Sequence, residues 1–213
     1  SNVPLRVHGI ADVGFLTGVK SLAGSTSSSY AIMNDGRVVG WGLNTWGQLG
    51  DGTTTDRSYP MYVLKNAAFG GGQLTNIIDF QAGDHFVTAL DANGDVWFWG
   101  NDARGVGGQN IVCGADGCNN IIRAVKVRNP TNTGYLTNIV KIAAGDRHIL
   151  ALTASDTLYS WGSDWARQLG RGNPGNSGLP AAVFNVNDAV GINILRGVVA
   201  IAGGNGHSIA VLA

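Results

Sequence analysis

A Trp-Gly pair that returns at a nearly constant interval constrains this chain more than any other feature. The pairs begin at Trp41, Trp99 and Trp161, so they lie 58 and 62 residues apart. Each pair ends a short apolar run, and the first two runs follow a turn in which Asn or Asp stands beside Gly. Such turn residues supply the positive φ angles of a tight β-hairpin. The pairs therefore predict a repeat of about 60 residues with a Trp-bearing strand in each copy.

A second recurring phrase adds further strands to each copy. It is a short apolar segment whose final glycine is Gly24, Gly83, Gly145 or Gly204, and another short apolar segment follows it each time. A further apolar segment follows the glycine-rich corner after each Trp-Gly pair. Short alternating runs that Gly interrupts favour strands over helices. Four strands per repeat are typical of a β-propeller blade, whose faces become buried only when repeats stack.

Several phrases in one fixed order resemble the repeat of the regulator of chromosome condensation family, and the resemblance covers nearly the whole chain. They are Ala23-Gly24, Asp35-Gly36-Arg37-Val38, Trp41-Gly42-Leu43-Asn44 and the corner from Gly47 to Thr55. The phrases Gly52 to Arg57, Leu74 to Ile77 and Leu136 to Ile139 are similar to the bacterial, often exported, branch of that family.

The resemblance implies a propeller, usually of seven blades, that presents loops to protein partners. Members of the family act as nucleotide exchange factors for a small GTPase, as light sensors, as inhibitors of β-lactamases or as modules of larger proteins. Function lies in loops carried by the fold, so the resemblance leaves the function open.

We predict an all-β fold: a single β-propeller domain over residues 1–213, with three full four-stranded blades and a partial blade split between the termini. The repeats are expected at residues 19–64, 78–128, 140–186 and 199–213, with residues 4–10 as a separate strand of the split blade. A closed four-bladed ring is conceivable. The family's wider ring instead favours a piece of a propeller of about seven blades, or one that another chain completes.

The charge of the chain argues against two classes of partner. Lys and Arg number 14, Asp and Glu number 14, and charged residues make up 13% of the chain. Binding to nucleic acid or to an anionic membrane surface needs clustered basic residues, and no such cluster occurs. No apolar run is long enough to span a bilayer. We therefore expect a protein partner or self-association, with no nucleic acid and no membrane span.

Two cysteines, Cys113 and Cys118, lie in a glycine-rich loop. A disulfide across so short a loop is geometrically possible, and it would indicate an oxidising compartment. Two free thiols are the alternative, and a metal site would need more ligands than the loop offers. Together with the exported branch of the family, this pair predicts an extracellular or cell-surface location in a bacterium.

The sequence offers no catalytic constellation. It has no Gly-x-Ser-x-Gly elbow, no phosphate-binding loop and no HExxH motif. His85, His148 and His207 recur at near-equivalent places, which favours a structural role over metal binding. Asp91 to Asp95 resembles a calcium loop but lacks the downstream Glu and falls at a hairpin. We predict no enzyme activity, no cofactor and no metal.

Candidate contact residues lie in the corners, where the copies of the repeat differ. Trp and Arg dominate binding hot spots, so we select Trp46, Trp165, Arg104 and Arg167, with Asp116 of the cysteine loop. Trp46 and Trp165 are interpreted as sharing one repeat position, for which packing between blades is the alternative role.

Three functions follow, in decreasing order of preference. The first is a noncatalytic protein-interaction module of a bacterial exported or surface-associated protein, which binds through its loops. The second is a structural repeat element that self-assembles through open blade edges into an oligomer or surface appendage. The third is an activity like that of a guanine nucleotide exchange factor.

Overall fold

The computed structural model describes residues 3–112, 120–172, 174–185 and 193–213, and nearly all regular structure in them is β-strand. Two single-turn 3-10 helices lie at Ile10–Asp12 and Ala67–Phe69. The strands are β1 (Val19–Gly24), β2 (Ser28–Met33), β3 (Val38–Gly42), β4 (Arg57–Tyr62), β5 (Ile77–Ala82), β6 (Phe86–Asp91), β7 (Val96–Asn101), β8 (Asn120–Lys126), β9 (Ile139–Ala144), β10 (His148–Thr153), β11 (Leu158–Gly162), β12 (Ser177–Ala182), β13 (Val198–Gly203) and β14 (Ser208–Leu212).

These strands form four separate antiparallel sheets in chain order. Blade 1 is β1–β4, blade 2 is β5–β8, blade 3 is β9–β12, and the partial blade 4 is β13–β14. Within each full blade every strand pairs with its neighbours in sequence, as a meander does. The expected all-β propeller, with three full blades and a partial one, is confirmed.

The hairpin turns between the second and third strands need a positive φ angle. Gly36 supplies it in blade 1 at 77°, and Gly94 supplies it in blade 2 at 81°. Blade 3 lacks this glycine, and Asp156 takes a left-handed conformation there at 60°. Asp tolerates this region better than most residues because its short side chain hydrogen-bonds locally.

An indole from the third strand fills each interface between full blades. Trp99 of blade 2 lies on Gly50 of blade 1, where a Cβ atom would be only 2.8 Å from its Cδ1. Trp161 of blade 3 lies on Gly108 of blade 2 in the same way and donates its Nε1 hydrogen to the carbonyl oxygen of Val106 over 2.9 Å. Both indoles are fully buried, and each lies in a separate core cluster that two successive blades share.

The face of blade 1 that points away from blade 2 is covered only in part, by residues of the N-terminal segment. Leu22 of β1 is 69% exposed, whereas the equivalent Phe80 and Ile142 are each 4% exposed against the preceding blade. Trp41 is only half-buried, packed against Ile10 and Leu16. This face has the residues of a blade interface without the neighbouring blade.

The N-terminal segment has the same bridge that follows the fourth strand in the full blades. His8 bridges Phe15, and the N–H of Leu16 donates to the carbonyl oxygen of Val7 over 3.0 Å. Similar bridges follow the fourth strand of each full blade: Leu64 with Gln73, Arg128 with Tyr135, and Phe184 with Ile194. Pro4 to Ile10 thus resembles the end of a fourth strand. It does not pair with β13–β14 within the described residues, because a third strand would have to stand between them.

We predict that Trp161→Ala lowers the free energy of unfolding by about 3–5 kcal/mol, because it empties a buried indole site and removes a hydrogen bond. Trp41→Ala is the matched control at the equivalent position. It should cost about 1–2 kcal/mol, since its indole is already half in solvent. Urea unfolding of the two variants provides the comparison, and equal losses would contradict the interface role of Trp161.

Candidate protein-binding face

Two sets of loops emerge at the same end of the blades, because the first and third strands of each sheet run in the same direction. Backbone hydrogen bonds join the two sets, from Leu43 to Ser27 over 3.0 Å and from Ser163 to Arg147 over 2.8 Å. We call this end the upper face. It consists of the loops at residues 25–27, 83–85, 145–147 and 204–207 and the corners at residues 43–50, 101–108 and 163–170.

A buried polar residue holds each corner in shape. Asn44 accepts from the N–H of Leu49 over 2.9 Å, and Asp164 accepts from the N–H of Leu169 over 3.0 Å. Asp102 accepts from Gly107 over 2.6 Å in the equivalent corner of blade 2. Side chains that leave these corners are therefore carried on a fixed backbone.

The interpretation that Trp46 and Trp165 share one repeat position is wrong by one residue. The side chain of Gln48 accepts from the N–H of Trp46 over 2.9 Å, and that of Gln168 accepts from the N–H of Ala166 over 2.9 Å. Trp46 is thus equivalent to Ala166, and Trp165 precedes that position. The repeated glutamine was the sequence signal that could have fixed this register.

The two tryptophans also differ in their surroundings. Trp46 is half-buried and stacks on His85, with ring centroids 6.0 Å apart and planes 20° apart. Trp165 is 67% exposed. One edge of its indole lies over Gly206, where a Cβ atom would be 2.9 Å from Cζ2. Trp165 therefore offers most of its ring to solvent from a supported position.

The two candidate arginines lie in neighbouring corners of the same face. Arg104 is half-buried with a φ angle of 60°, and its buried Nε has no hydrogen-bond partner among the described residues. Arg167 is exposed with a φ angle of 65°. It occupies the position of Gly47 and Gly105, which lie against the fourth strand of the next blade. Asp116 and the predicted disulfide between Cys113 and Cys118 lie outside the described residues.

A charged network that the sequence interpretation missed connects the inner loops of this face. The side chain of Asp84 accepts from the hydroxyl of Thr26 over 3.2 Å and from Nη2 of Arg147 over 3.3 Å. His85 lies 3.6 Å from the same carboxylate, and Asp146 lies 3.9 Å from Nε of Arg147. The signal for it was the repeated Gly-Asp or Gly-Asn after the first strand, which brings residues distant in sequence together.

The network surrounds a cavity of about 320 Å³ lined mainly by glycine-rich backbone of the four inner loops. Burial, together with the neighbouring carboxylate of Asp84, raises the pKa of Asp146. Arg147 and His85 oppose that shift. The mouth of the cavity therefore carries two closely spaced carboxylates that one guanidinium only partly neutralises.

The surroundings of His148, one of the recurrent histidines, suit a structural role. His148 is buried, and its Nε2 lies 2.9 Å from the hydroxyl of Ser208. Burial lowers the pKa of His148 to about 4, with a further contribution from nearby His207, so the ring is neutral at pH 7. Within the described ranges, no group of three or more His, Cys, Asp or Glu side chains is arranged to hold a metal ion. No helix in those ranges has the length and apolarity needed to cross a membrane.

Family comparison agrees with the geometry of blades and corners. A model of the regulator of chromosome condensation (RCC1) repeat matches residues 35–90 and 155–211, and a second model of that repeat matches residues 139–164. The chain belongs to the RCC1 repeat family.

Within the matched segments, curated relatives are about 30% identical to this chain. Human E3 ubiquitin-protein ligase HERC2 is 30% identical over 82% of this chain and 3% of its own length. Protein pim1 of Schizosaccharomyces pombe is 30% identical over 74% of this chain and 30% of its own. The ultraviolet-B receptor UVR8 of Arabidopsis thaliana is 30% identical over 80% of this chain and 34% of its own length. The chain thus spans about a third or less of the length of these relatives.

Among solved structures, Prp20p from Saccharomyces cerevisiae superposes with a TM-score of 0.71 at 20% identity. The match covers 92% of this chain and 44% of Prp20p. At that identity the likeness shows the shared propeller fold alone.

We predict that Asp102→Asn stabilises the protein at pH 7 by about 1–2 kcal/mol. Asp102 is 1% exposed, and burial raises its pKa to about 6, well above the usual range of an aspartate. Ionisation therefore costs the folded state at neutral pH, and the cost fades as the pH falls from 6 to 4. Melting temperatures of the variant and the parent, measured at pH 7 and pH 4, test this.

The reverse change, Asn44→Asp in blade 1, is the matched control. It should destabilise the protein at pH 7, because the new carboxylate would face Asp51, to which Asn44 now donates over 3.2 Å. A gain from Asp102→Asn of equal size at both pH values would rule out titration as its cause.

Proposed function

We propose that this chain is a noncatalytic protein-interaction module that binds its partner through the upper face. The observation that carries the proposal is Trp165, whose indole is 67% exposed on a corner held by buried hydrogen bonds. An exposed aromatic on a rigid backbone gives large contact area with little loss of conformational entropy, which suits a binding hot spot.

Charged groups on the same face complement this anchor. Arg167 follows Trp165 in its corner, and Arg104 projects from the corner of blade 2. Asp84 and Asp146 line the central cavity, so acidic and basic groups both face a partner. Such a mixed surface favours orientation and selectivity of binding over raw affinity.

The names of solved relatives agree with a protein partner. Prp20p was studied for its binding to Gsp1p and histones, and yeast RCC1 (Prp20) was solved with Kap60. By analogy with these relatives, we propose that this chain also binds a protein partner, which the capture experiment below identifies.

A bacterial exported or surface location is part of the proposal. Its support is the close spacing of Cys113 and Cys118 in the sequence. Mass spectrometry of the protein from its native source, after alkylation without reductant, tests it, and two alkylated thiols would count against an oxidising compartment.

A second candidate function is self-assembly through open blade faces. The exposed Leu22 on blade 1 favours it, since the equivalent side chains elsewhere are buried between blades. Sedimentation of the wild type, Leu22→Asp and the matched Ile78→Asp variant separates the two functions. A wild-type monomer of 22.1 kDa at all concentrations would contradict assembly.

For the preferred function we predict that Trp165→Ala weakens partner binding at least about tenfold, or about 1.4 kcal/mol. Arg37→Ala is the control, since Arg37 lies at the hairpin end of blade 1, opposite the upper face. Both variants should keep the wild-type melting temperature within a few degrees, because each replaces a partly or largely exposed side chain. Affinity capture with the wild type supplies the partner, and calorimetry of the purified pair measures each variant. Unchanged affinity of Trp165→Ala, or its unfolding, would overturn the proposal.

A further inference from the structure

Asparagine precedes glycine at two places in the chain, Asn93-Gly94 and Asn205-Gly206. In such a pair the backbone nitrogen of the glycine can attack the side-chain amide carbon of the asparagine, because glycine has no Cβ atom to obstruct the approach. The attack needs a nitrogen whose N–H is free of hydrogen bonds, since a donated N–H is held towards its acceptor and away from the side chain. The fold therefore decides which pair can react.

The first pair is held in an unreactive form by its hairpin turn. The N–H of Gly94 donates to the carbonyl oxygen of Asp91 over 3.0 Å. The preceding N–H, that of Asn93, donates to Oδ1 of Asp91 over 2.9 Å. Both backbone amides of the pair are thus hydrogen-bonded, and attack at Asn93 requires the turn to open first.

Two related Asp-Gly pairs, which can form the same ring, are restrained in the same way. The N–H of Gly36 donates to the carbonyl oxygen of Met33 over 2.9 Å. The N–H of Gly52 donates to the carbonyl oxygen of Ile122 over 2.9 Å. In these pairs, as at Gly94, the fold uses the N–H that the reaction needs free.

The second Asn-Gly pair lies in the inner loop of blade 4 and is not restrained. Among the described residues, no acceptor receives the N–H of Gly206, and no group hydrogen-bonds the side chain of Asn205, which is exposed. His85 and Arg147 hold the place of Gly206 in blades 2 and 3, and their N–H groups also lack acceptors in the described ranges. The free amide is therefore a property of the inner loop, and it is present in blades that have neighbours on both sides.

Asn205 also differs from its equivalents in a way that the reaction would remove. Asp84 and Asp146 occupy its position in blades 2 and 3, and all three residues line the cavity of the upper face. The N–H of Asp146 donates to the carbonyl oxygen of Gly204 over 3.2 Å, which places the loop of Asn205 directly beside Asp146. Conversion of Asn205 to an aspartate would give this row of inner loops a third carboxylate.

We propose that Asn205 is a site of spontaneous deamidation that converts the inner loop of blade 4 into an acidic loop. The nitrogen of Gly206 bonds to the side-chain carbon of Asn205, and the amino group of the side chain leaves as ammonia with the proton of that nitrogen. Water then opens the resulting succinimide at one of its two carbonyl carbons, which leaves an aspartate or an isoaspartate and releases one proton. The reaction adds one negative charge to a chain whose formal net charge is zero. The inference is independent of the proposed function, since it concerns the chemistry of one loop.

The test compares the two Asn-Gly pairs in one sample of the full, folded chain. The protein is incubated at neutral pH, and peptide mapping by mass spectrometry follows each pair through the mass change from an amino to a hydroxyl group. Conversion should be at least about tenfold faster at Asn205 than at Asn93, because Asn93 reacts only after local opening of its turn. The same comparison in urea should remove the difference, since both pairs are then unrestrained.

Three outcomes of this comparison would overturn the proposal. They are no conversion at Asn205, equal or faster conversion at Asn93 in the folded chain, and a difference of the same size in urea. The last outcome would mean that the local sequence, and not the fold, sets the two rates.

Matched variants connect the acidic product with this loop. Asn205→Gln lengthens the side chain so that the five-membered ring cannot form, and the acidic species seen by ion-exchange chromatography should accumulate much more slowly. Asn93→Gln makes the same change in the hairpin turn and should leave accumulation at the wild-type rate. Asn205→Asp should elute with the acidic species from the start. Circular dichroism checks that the variants are folded, as expected for exposed side chains. Accumulation at the wild-type rate in Asn205→Gln would place the reaction elsewhere and overturn the proposal.

Discussion

Contact between the indole of one blade and a glycine of the blade before it is the constraint on which this structure depends. Trp99 can lie on Gly50 only because that glycine has no Cβ atom, which would stand 2.8 Å from the ring. The indole contributes a large apolar area that neither blade could bury alone. The Trp-Gly pair and the corner glycine are therefore one physical requirement, and both occur at the two interfaces between full blades.

The corners supply the glycine on which the indole lies, and they also carry the residues that differ between copies. A buried Asn44, Asp102 or Asp164 accepts a backbone hydrogen bond in each, so the backbone is nearly the same while the outward side chains vary. Trp165 stands where blade 1 has Thr45. A scaffold whose loops are fixed by buried bonds can accept such a change without loss of fold, which is why binding residues concentrate there.

Arg167 shows how a neighbour decides what a position tolerates. Its equivalents Gly47 and Gly105 lie against the fourth strand of the next blade. A Cβ atom on Gly47 would be 2.7 Å from Ile122 Cγ2, and one on Gly105 would be 2.7 Å from Gly178 Cα. Blade 4 has no such strand within the described residues, so the arginine side chain is free to enter solvent. The surroundings of the blade 3 corner therefore differ from those of the corners in blades 1 and 2.

The sequence by itself determined the fold class and its blades, because glycine, tryptophan and hairpin turns recur in a fixed order and each has a local steric cause. It also located the corners that carry Trp165, Arg104 and Arg167. The interpretation of the sequence misplaced Trp46 relative to Trp165 by one residue, and aligning the repeated Gln48 and Gln168 corrects this register. Only the tertiary structure joined Asp84 to Arg147 and distinguished the exposed Trp165 from Trp46, which stacks on His85. Those outcomes depend on which blades are neighbours. Stacking of the sheets brings together residues about 60 positions apart, and the local conformational preferences of the chain do not determine such contacts.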